Sequence, residues 1–587
     1  MKKIDTPQKL RGSYSTPYKI AESLASWAIR SADDRILEPS CGDGVFVDVA
    51  SRRLNALGAK TNAIPNLIVG IENDFEDTQK SKEKLRSILF SLSKQEIANS
   101  KSNQLTLPQI GSLSSVIINA DFFDFYNQHK SQKFDVVLGN PPFIRYQNWK
   151  DEARELASEI MQNAGLRPNR LTNAWVPFVL TSSLMLSSNG RLAMVLPAEI
   201  LQVKYAAQLR LFLTNYFKAI TVLTFRKLVF PEIQQEVVLL LAERDAGHGN
   251  GMALFELEDE KDLFNFQPFD LKSNFKPVEH SQDKWTQYFL TTDEILFLRK
   301  IRQHPQLKTL KDVASVDVGV VTGENQFFIV DNDALNKFNL SRDVLPVVGR
   351  SIYLKGATFN TDDWEKMKKL GVRCHLLALA EESIPLANKG LIEYLRYGEE
   401  RKVNTGYKCR IRQFWYSVPS LWVPDAFLFR QINLNPRMVL NETNATVTDT
   451  IHRVKFKEGV DARAAVVCFH NSLTFAFSEV FGRSYGGGVL ELEPNEAEEL
   501  PIPYFDIKSL FKEADRCLRE NAFSDVLDML DEVILKKEMG LAETQIRTLR
   551  EIWQKLSVRR TQRKRASKLK PILQTIEVGN FQKDHYR

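Results

Sequence analysis

Four consecutive residues, Asn140-Pro141-Pro142-Phe143, carry the most specific chemistry in this chain. They directly follow Phe134-Asp135-Val136-Val137-Leu138-Gly139, an apolar run that reads as a buried strand. Two prolines stiffen the backbone where a parallel strand ends, which is where ligand sites of α/β proteins form. Such rigidity would hold the Asn140 side-chain oxygen and the Pro141 carbonyl as two converging acceptors. A planar exocyclic amine has two N–H donors to offer them. Once both hydrogens are accepted, the nitrogen lone pair is drawn out of conjugation with its ring and is free to attack a sulfonium methyl. Phe143 supplies a face on which a planar base stacks. An Asn-Pro-Pro tripeptide taken alone reads as a stiff surface turn; the strand before it and the motifs upstream give it the chemical reading.

Three acids stand where upstream strands end. In Ile36-Leu37-Glu38-Pro39-Ser40-Cys41-Gly42-Asp43-Gly44-Val45-Phe46, an apolar strand closes on an acid, and two glycines permit a tight turn into a helix. There is no GxGxxG and no Gly-Lys-Ser/Thr, so neither a dinucleotide fold nor a phosphate loop is indicated. An acidic, glycine-bearing loop suits a cofactor that is positively charged and lacks phosphate. One βαβ unit later, Glu72 is placed to accept two ribose hydroxyls. Asp121 is placed to accept from an adenine amino group, with Phe122 flanking the ring. Each acid alone reads equally as a strand-end cap or a surface residue; three in register do not. The five cysteines show no CxxC pair and the eight histidines no HExxH, so no metal is expected, and the scatter of cysteines fits a reducing compartment.

The elements that must hold these residues follow from periodicity. Strand candidates at 35–38, 67–72, 116–121, 134–139, 191–196, 220–225 and 236–242 alternate with helical patterns at 18–30 and 204–216. They predict a doubly wound, seven-stranded α/β domain over residues 1–245. Residues 246–304, opening on a glycine-rich stretch, read as a connector. Residues 305–505 read as mixed α+β and residues 506–587 as a basic helical tail. A chain of 587 residues is too long for one ordinary core. With 43% hydrophobic and 26% charged residues it has a soluble protein's composition, and no run approaches the roughly 18 apolar residues of a membrane span. Met1-Lys2-Lys3-Ile4-Asp5 lacks the apolar core of a signal peptide. A cytoplasmic protein with no membrane partner is expected. The net charge of +6 is a weak hint of a polyanionic partner. Arg547, Arg550, Lys555, Arg559, Arg560, Arg563, Lys564, Arg565, Lys568 and Lys570 are a stronger one, as a run that either contacts phosphates or is simply solvated.

The order of these parts resembles that of the gamma-class (TaqI-type) adenine-N6 DNA methyltransferases of restriction–modification systems. Gly12-Ser13-Tyr14-Ser15-Thr16-Pro17 comes first, then the strand-loop-helix around Glu38, then Asn140–Phe143, then a recognition region. The resemblance implies a class I methyltransferase domain, S-adenosyl-L-methionine as donor, and transfer to N6 of a flipped-out adenine in double-stranded, nucleoid DNA. It assigns Thr16 and Tyr14 to the methionine end, and Glu38, Cys41 and Gly42 to the first cofactor motif. Glu72 falls on the ribose acid, Asp121 and Phe122 on the adenine contact, and Pro142 also touches the cofactor. In Val229-Phe230-Pro231, Phe230 falls where the family has an aromatic against the target base; a plain core aromatic is the alternative. One departure is Phe143, where Tyr is commonest. Stacking needs only the ring, yet Phe also occurs in relatives acting on ribosomal RNA guanine. The match covers the first 245 residues and extends loosely over 318–328.

Within 305–505, Arg410, Arg412, Trp415, Tyr416, Trp422 and Arg430 lie close in sequence, as do Thr446, Thr448, Asp449, Thr450, His452 and Arg453, with a glycine run at Tyr485-Gly486-Gly487-Gly488. Collectively they suit a DNA clamp; one by one, most read as core aromatics, internal polar residues and a turn. Other readings stay open: methylation of RNA or of a protein amide, a restriction–methylation fusion, or an inactive DNA-binding subunit. Against the last stand intact Asn140, Glu38 and Glu72. The recognition sequence, and whether a cognate restriction endonuclease is a partner, are not legible in the chain.

Overall fold

Apolar residues alternate between the two faces of one sheet, and both faces are covered by helices. The structure is a computed structural model; it describes residues 15–99, 116–145, 148–149, 151–227, 229–230, 236–246, 250–264, 275–278, 284–379, 389–485 and 488–562. The strands are β1 (Ile36–Glu38), β2 (Ile68–Glu72), β3 (Ile117–Asn119), β4 (Phe134–Gly139), β5 (Leu186–Pro197), β6 (Ala219–Phe225), β7 (Val237–Glu243) and β8 (Gly251–Leu257). Their order is β3-β2-β1-β4-β5-β7-β6-β8. Neighbours are parallel except β7, which runs antiparallel to β5 and β6.

On one face, helices α1 (Tyr18–Ala28), α2 (Val45–Ala56) and α3 (Phe75–Asn99) share a core with Ile36, Ile68, Val136 and Leu138. On the other, α4 (Phe122–Gln128), α5 (Asp151–Asn163), α6 (Trp175–Leu184) and α7 (Ala207–Tyr216) pack with Leu37, Ile71, Val137 and Met194. This alternation, 136 and 138 one way and 137 the other, is the strand period of two applied to a sheet buried on both sides.

The sheet has eight strands where seven are expected. The eighth, β8, lies inside the presumed connector and pairs with β6 along its whole length. Its first residue, Gly251, has φ of +115°, and a Cβ there would lie 2.2 Å from the Lys276 carbonyl oxygen. Gly251 therefore opens a strand rather than continuing a linker.

Chain order reverses between β1 and β4: β1, β2 and β3 run outward one way, β4 and β5 the other. The crevice beyond the carboxyl ends of β1 and β4 is thus the topological switch point, where such sheets bind ligands. Register pairs Ile36 with Val136 and Leu37 with Val137. Glu38 consequently emerges beside Gly139 and Asn140.

Beyond the sheet lie a five-stranded sheet and smaller ones, then helices Ala462–Phe469, Ser472–Phe481, Phe511–Arg519, Phe523–Leu530 and Glu543–Thr561. The core on the α4–α7 face continues into them through Val466, Phe469, Leu473, Leu549 and Ile552. Among the described residues no single helix is long and apolar enough to cross a membrane.

Candidate active site

Two cavities meet at the switch point. One, of about 560 Å³, is lined by Glu72, Asp121, Phe122, Asn140, Pro142 and Trp149, among others. The other, of about 340 Å³, is lined by Thr16, Glu38, Cys41, Gly42, Asp43 and Asn140, among others. Ser40, Asp77 and Asn140 belong to both. Residues spread over more than a hundred positions of sequence are therefore brought around one asparagine.

The loop after β1 owes its shape to glycine. Gly42 has φ of +49° and Gly44 of +79°, both in the left-handed region that side chains resist. A Cβ on Gly44 would press within 2.9 Å of Ser81 Oγ, whereas one on Gly42 would enter open space. The Gly42 N–H donates to Glu72 Oε2 at 2.9 Å and the Asp74 N–H donates to Oε1 at 2.9 Å. Each oxygen of a carboxylate has two lone pairs, so Glu72 keeps acceptor capacity on the cavity side. Burial raises its pKa, and those two N–H bonds oppose the rise.

Glu38 is the anomaly. It is 2% exposed, and neither carboxylate oxygen has a donor in hydrogen-bonding geometry among the described residues. Burial pushes its pKa well above the usual carboxylate range and repulsion from Asp43 and Glu72 adds to the effect, while Lys84 and the Val47 N–H oppose it. Burial, then Glu38 and Glu72, likewise hold the Cys41 thiol well above its ordinary value. Cys41 is thus a neutral wall residue and no nucleophile.

Asp121 does two things. Its Oδ1 accepts from the Phe123 N–H at 2.8 Å and the Asp124 N–H at 3.4 Å, capping α4, and the residue also lines the larger cavity. Phe122 is buried and stacks on Phe178 with centroids 5.2 Å apart. Asn140 is held at both ends: Nδ2 donates to Thr16 Oγ1 at 3.1 Å, and its main-chain oxygen accepts from Ser40 Oγ at 3.1 Å. Pro141 is buried, and half-buried Phe143 packs against the cores of both sheet faces.

Not every expected residue reaches the cavities. Phe143 is not among their lining residues, nor is Phe230, which is 3% exposed within the α1–α3 core. Tyr14 lies outside the described residues. Conversely, Ser40, Asp77, Lys80, Trp149 and Phe178 line the cavities without having been singled out. Asp77 and Lys80 had a usable signal, since they sit on the first turns of the helix after β2; Trp149 and Phe178 had none.

Downstream, the polar residues grouped by sequence turn inward. Arg453 donates to the Val318 and Ser420 carbonyls and pairs with Asp317, its guanidinium 4.5 Å from the Trp422 ring centroid. Arg430 pairs with Glu491 and Glu493. Arg412 donates to the Val321 and Thr322 carbonyls, and a ring nitrogen of His452 bonds the Leu492 carbonyl. Thr448 and Thr450 both donate to Gly349. Tyr416 is core, Trp415 packs against it, and Arg410 is exposed. In the described part of the basic run, Arg547 is exposed, while the other four are in ion pairs. Arg550 pairs with Asp528 and Asp531, Lys555 with Glu294, Arg559 with Glu256, and Arg560 with Glu479. Those four are thus paired with acids on other elements. Residues from Arg563 onward lie outside the described part.

A doubly wound sheet whose one reversed strand lies between β5 and β6, with acids at adjacent strand ends and a proline-locked asparagine, defines an α/β protein of the methyltransferase type. Residues 47–230 match the family model described as Eco57I restriction-modification methylase, and residues 282–535 match that of the C-terminal domain of type II methyltransferase M.Eco57I. The chain is 23% identical over 562 residues to type II methyltransferase M.AccI of Acinetobacter calcoaceticus, covering 90% of this chain and 94% of that relative. It is 27% identical over 331 residues to M.BstVI of Geobacillus stearothermophilus, covering 51% of this chain and 55% of that one. Among solved structures it is similar in fold to the type IIL restriction-modification enzyme MmeI in complex with DNA. The TM-score there is 0.56 at 13% identity, covering 92% of this chain and 75% of that one. The resemblance to restriction–modification methyltransferases therefore stands, and with it the reading of the chain as a DNA methyltransferase of that kind.

Proposed function

We propose that the protein transfers a methyl group from S-adenosyl-L-methionine to N6 of an adenine extruded from double-stranded DNA, as the modification enzyme of a restriction–modification system. The observation that carries this reading is Asn140 standing between two cavities, one of which has the buried carboxylate of Glu38 in its wall. A carboxylate removed from water calls for a compensating cation, and a cofactor bearing an ammonium and a sulfonium provides one. Thr16, Glu38, Cys41 and Gly42 would hold its methionine end, where the open space at Gly42 lets backbone approach closely. Glu72 would accept from the ribose hydroxyls, and Asp121, Phe122 and Pro142 would flank the adenosine. Bound there, the cofactor supplies an electrophilic methyl group on a positively charged sulfur.

The remaining chemistry belongs to the chain. The Asn140 side-chain oxygen and the Pro141 carbonyl accept the two amine hydrogens and free the nitrogen lone pair. No general base is needed, because the amine proton becomes acidic only once the nitrogen carries its new substituent. Phe143 lines neither cavity but ends the strip and would offer the stacking face to a base entering beside Asn140, and Phe230 lies in the core that Phe143 packs on, where it would brace that ring. Adenine N6 is enclosed in a duplex, so the base must swing out at a cost of a few kcal/mol. Similarity in fold to an enzyme solved in complex with DNA supports DNA as the partner. The test is sequencing, with modified-base detection, of DNA from a host expressing the protein. N6-methyladenine at one fixed motif is expected; unmodified DNA with methyl label in RNA or protein overturns the substrate.

A further inference from the structure

The catalytic strip has an anchoring problem that its own sequence creates. Pro141 and Pro142 have no N–H, so the two residues after Asn140 cannot donate a main-chain hydrogen bond to any neighbour. The Asn140 side-chain amide must also be held in one place and plane if its oxygen is to meet an incoming amine.

Both problems are met by hydroxyls from other segments. Thr16, 5% exposed, takes the Asn140 Nδ2 hydrogen on its Oγ1 at 3.1 Å. A hydroxyl can answer either end of an amide, so what this bond holds is the place and plane of the Asn140 side chain, here with Nδ2 toward Thr16. Ser40 Oγ donates to the Asn140 main-chain oxygen at 3.1 Å. The Asn140 carbonyl is thereby engaged, and the Pro141 carbonyl is the strip's next main-chain acceptor. Thr16 precedes α1 and Ser40 lies in the loop after β1, and both line the cavity that contains Glu38 and Gly42.

From this we infer that Thr16 and Ser40 are positioning residues for the transfer step, clamping the amide and the carbonyl of Asn140 so that the segments around the cofactor also set the geometry of the acceptor. The inference rests on the methyltransfer reading above. It gives Thr16 a duty separate from touching the methionine end of the cofactor.

Thr16→Val keeps the shape of the side chain and removes the acceptor, and Thr16→Ser restores it. Misorientation of a catalytic group by about 1 Å lowers rates on the order of 100-fold. The expectation for Thr16→Val is a fall in single-turnover rate of about 10- to 100-fold that persists at saturating cofactor, so that any rise in Kd, read separately by calorimetry, does not account for it. Thr16→Ser should recover most of the rate. In an Asn140→Ala background the same substitution should change nothing further, since there is no amide left to orient. Ser40→Ala should show the same split more weakly. A Thr16→Val protein that turns over normally once saturated, with only a raised Kd, makes Thr16 a plain cofactor contact and overturns the clamp. Equal loss in the Ser variant overturns it too. If the wild type methylates an amine other than adenine in DNA, the substrate proposal fails, while the same kinetic split on that amine still decides the clamp.

Discussion

Glu38 and Arg560 are buried to nearly the same degree, at 2% and 1% exposed, yet their surroundings differ completely. Glu38 stands at the end of β1 with no donor in hydrogen-bonding geometry among the described residues. Arg560, on the helix Glu543–Thr561, is closed around Glu479 at 2.8 Å and donates to the Asn433 and Gly488 carbonyls. Natural proteins rarely leave buried polar groups unsatisfied. A buried charge with partners therefore marks where the chain closes on itself, and one without marks where another molecule's charge belongs. Arg560 is of the first kind; the acid of the β1 loop is of the second.

The contrast can be broken at either end. Asn140→Ala should remove the amine acceptor and lower methyl transfer by about 10³-fold or more while cofactor binding persists; wild-type turnover in single-turnover assays would sink the site. Arg560→Ala should destabilise the fold by about 3–5 kcal/mol, because it leaves Glu479 buried and alone. Chemical denaturation reads this, and a loss under about 1 kcal/mol would make the pair incidental.

Glu38→Gln separates stability from function. The native pKa of Glu38 is raised, so the folded state binds its proton more tightly than the unfolded chain does. The stability this contributes is complete below the unfolded carboxyl value and is lost as pH rises through the native one. The amide variant, without cofactor, should therefore melt higher than wild type at pH 8, with the advantage vanishing in acid, and should bind cofactor about 10- to 100-fold more weakly. A lower melting temperature at pH 8 would show that Glu38 has a partner in the free protein.

The smallest effects are expected at the surface. Lys408 and Arg410 are exposed and are in no ion pair among the described residues. Changing both to Ala should weaken duplex binding and flatten the slope of log K against log salt by about two. Lys555→Ala, which breaks only the pair with Glu294, should leave that slope unchanged.

What could be read in advance followed from how local the signal is. The strand 134–139 coincides with β4, and 35–38 and 67–72 meet β1 and β2 within one residue, since strands buried on both faces are plain apolar runs. β5 starts at Leu186 rather than 191 because Ser187-Ser188-Asn189-Gly190 reads as a turn; it forms strand around a shift in register between Phe134 and Val136. The place of Glu38, Glu72 and Asp121 around the cavities was legible from their positions at or just after strand ends. The bond from Asn140 to Thr16 spans 124 positions, and that from Arg453 to Asp317 spans 136. No spacing rule on one segment reveals either. That is why Arg430, His452 and Arg453, which look like base readers when seen only beside one another, are internal ties.

Arg559 and Arg560 are consecutive but reach in different directions. The first pairs at 2.9 Å with Glu256 on β8, its guanidinium against the Phe289 ring, and the second with Glu479. One turn of helix thereby fastens the transfer sheet and the downstream helices to the same point. A chimera that exchanged only residues 305–505 between two relatives would have to recreate Glu479 and its carbonyl neighbours against a foreign helix. Extending the exchange through Thr561 would keep the Arg560–Glu479 pair but set Arg559 against a foreign Glu256, so the two regions are tied to change together.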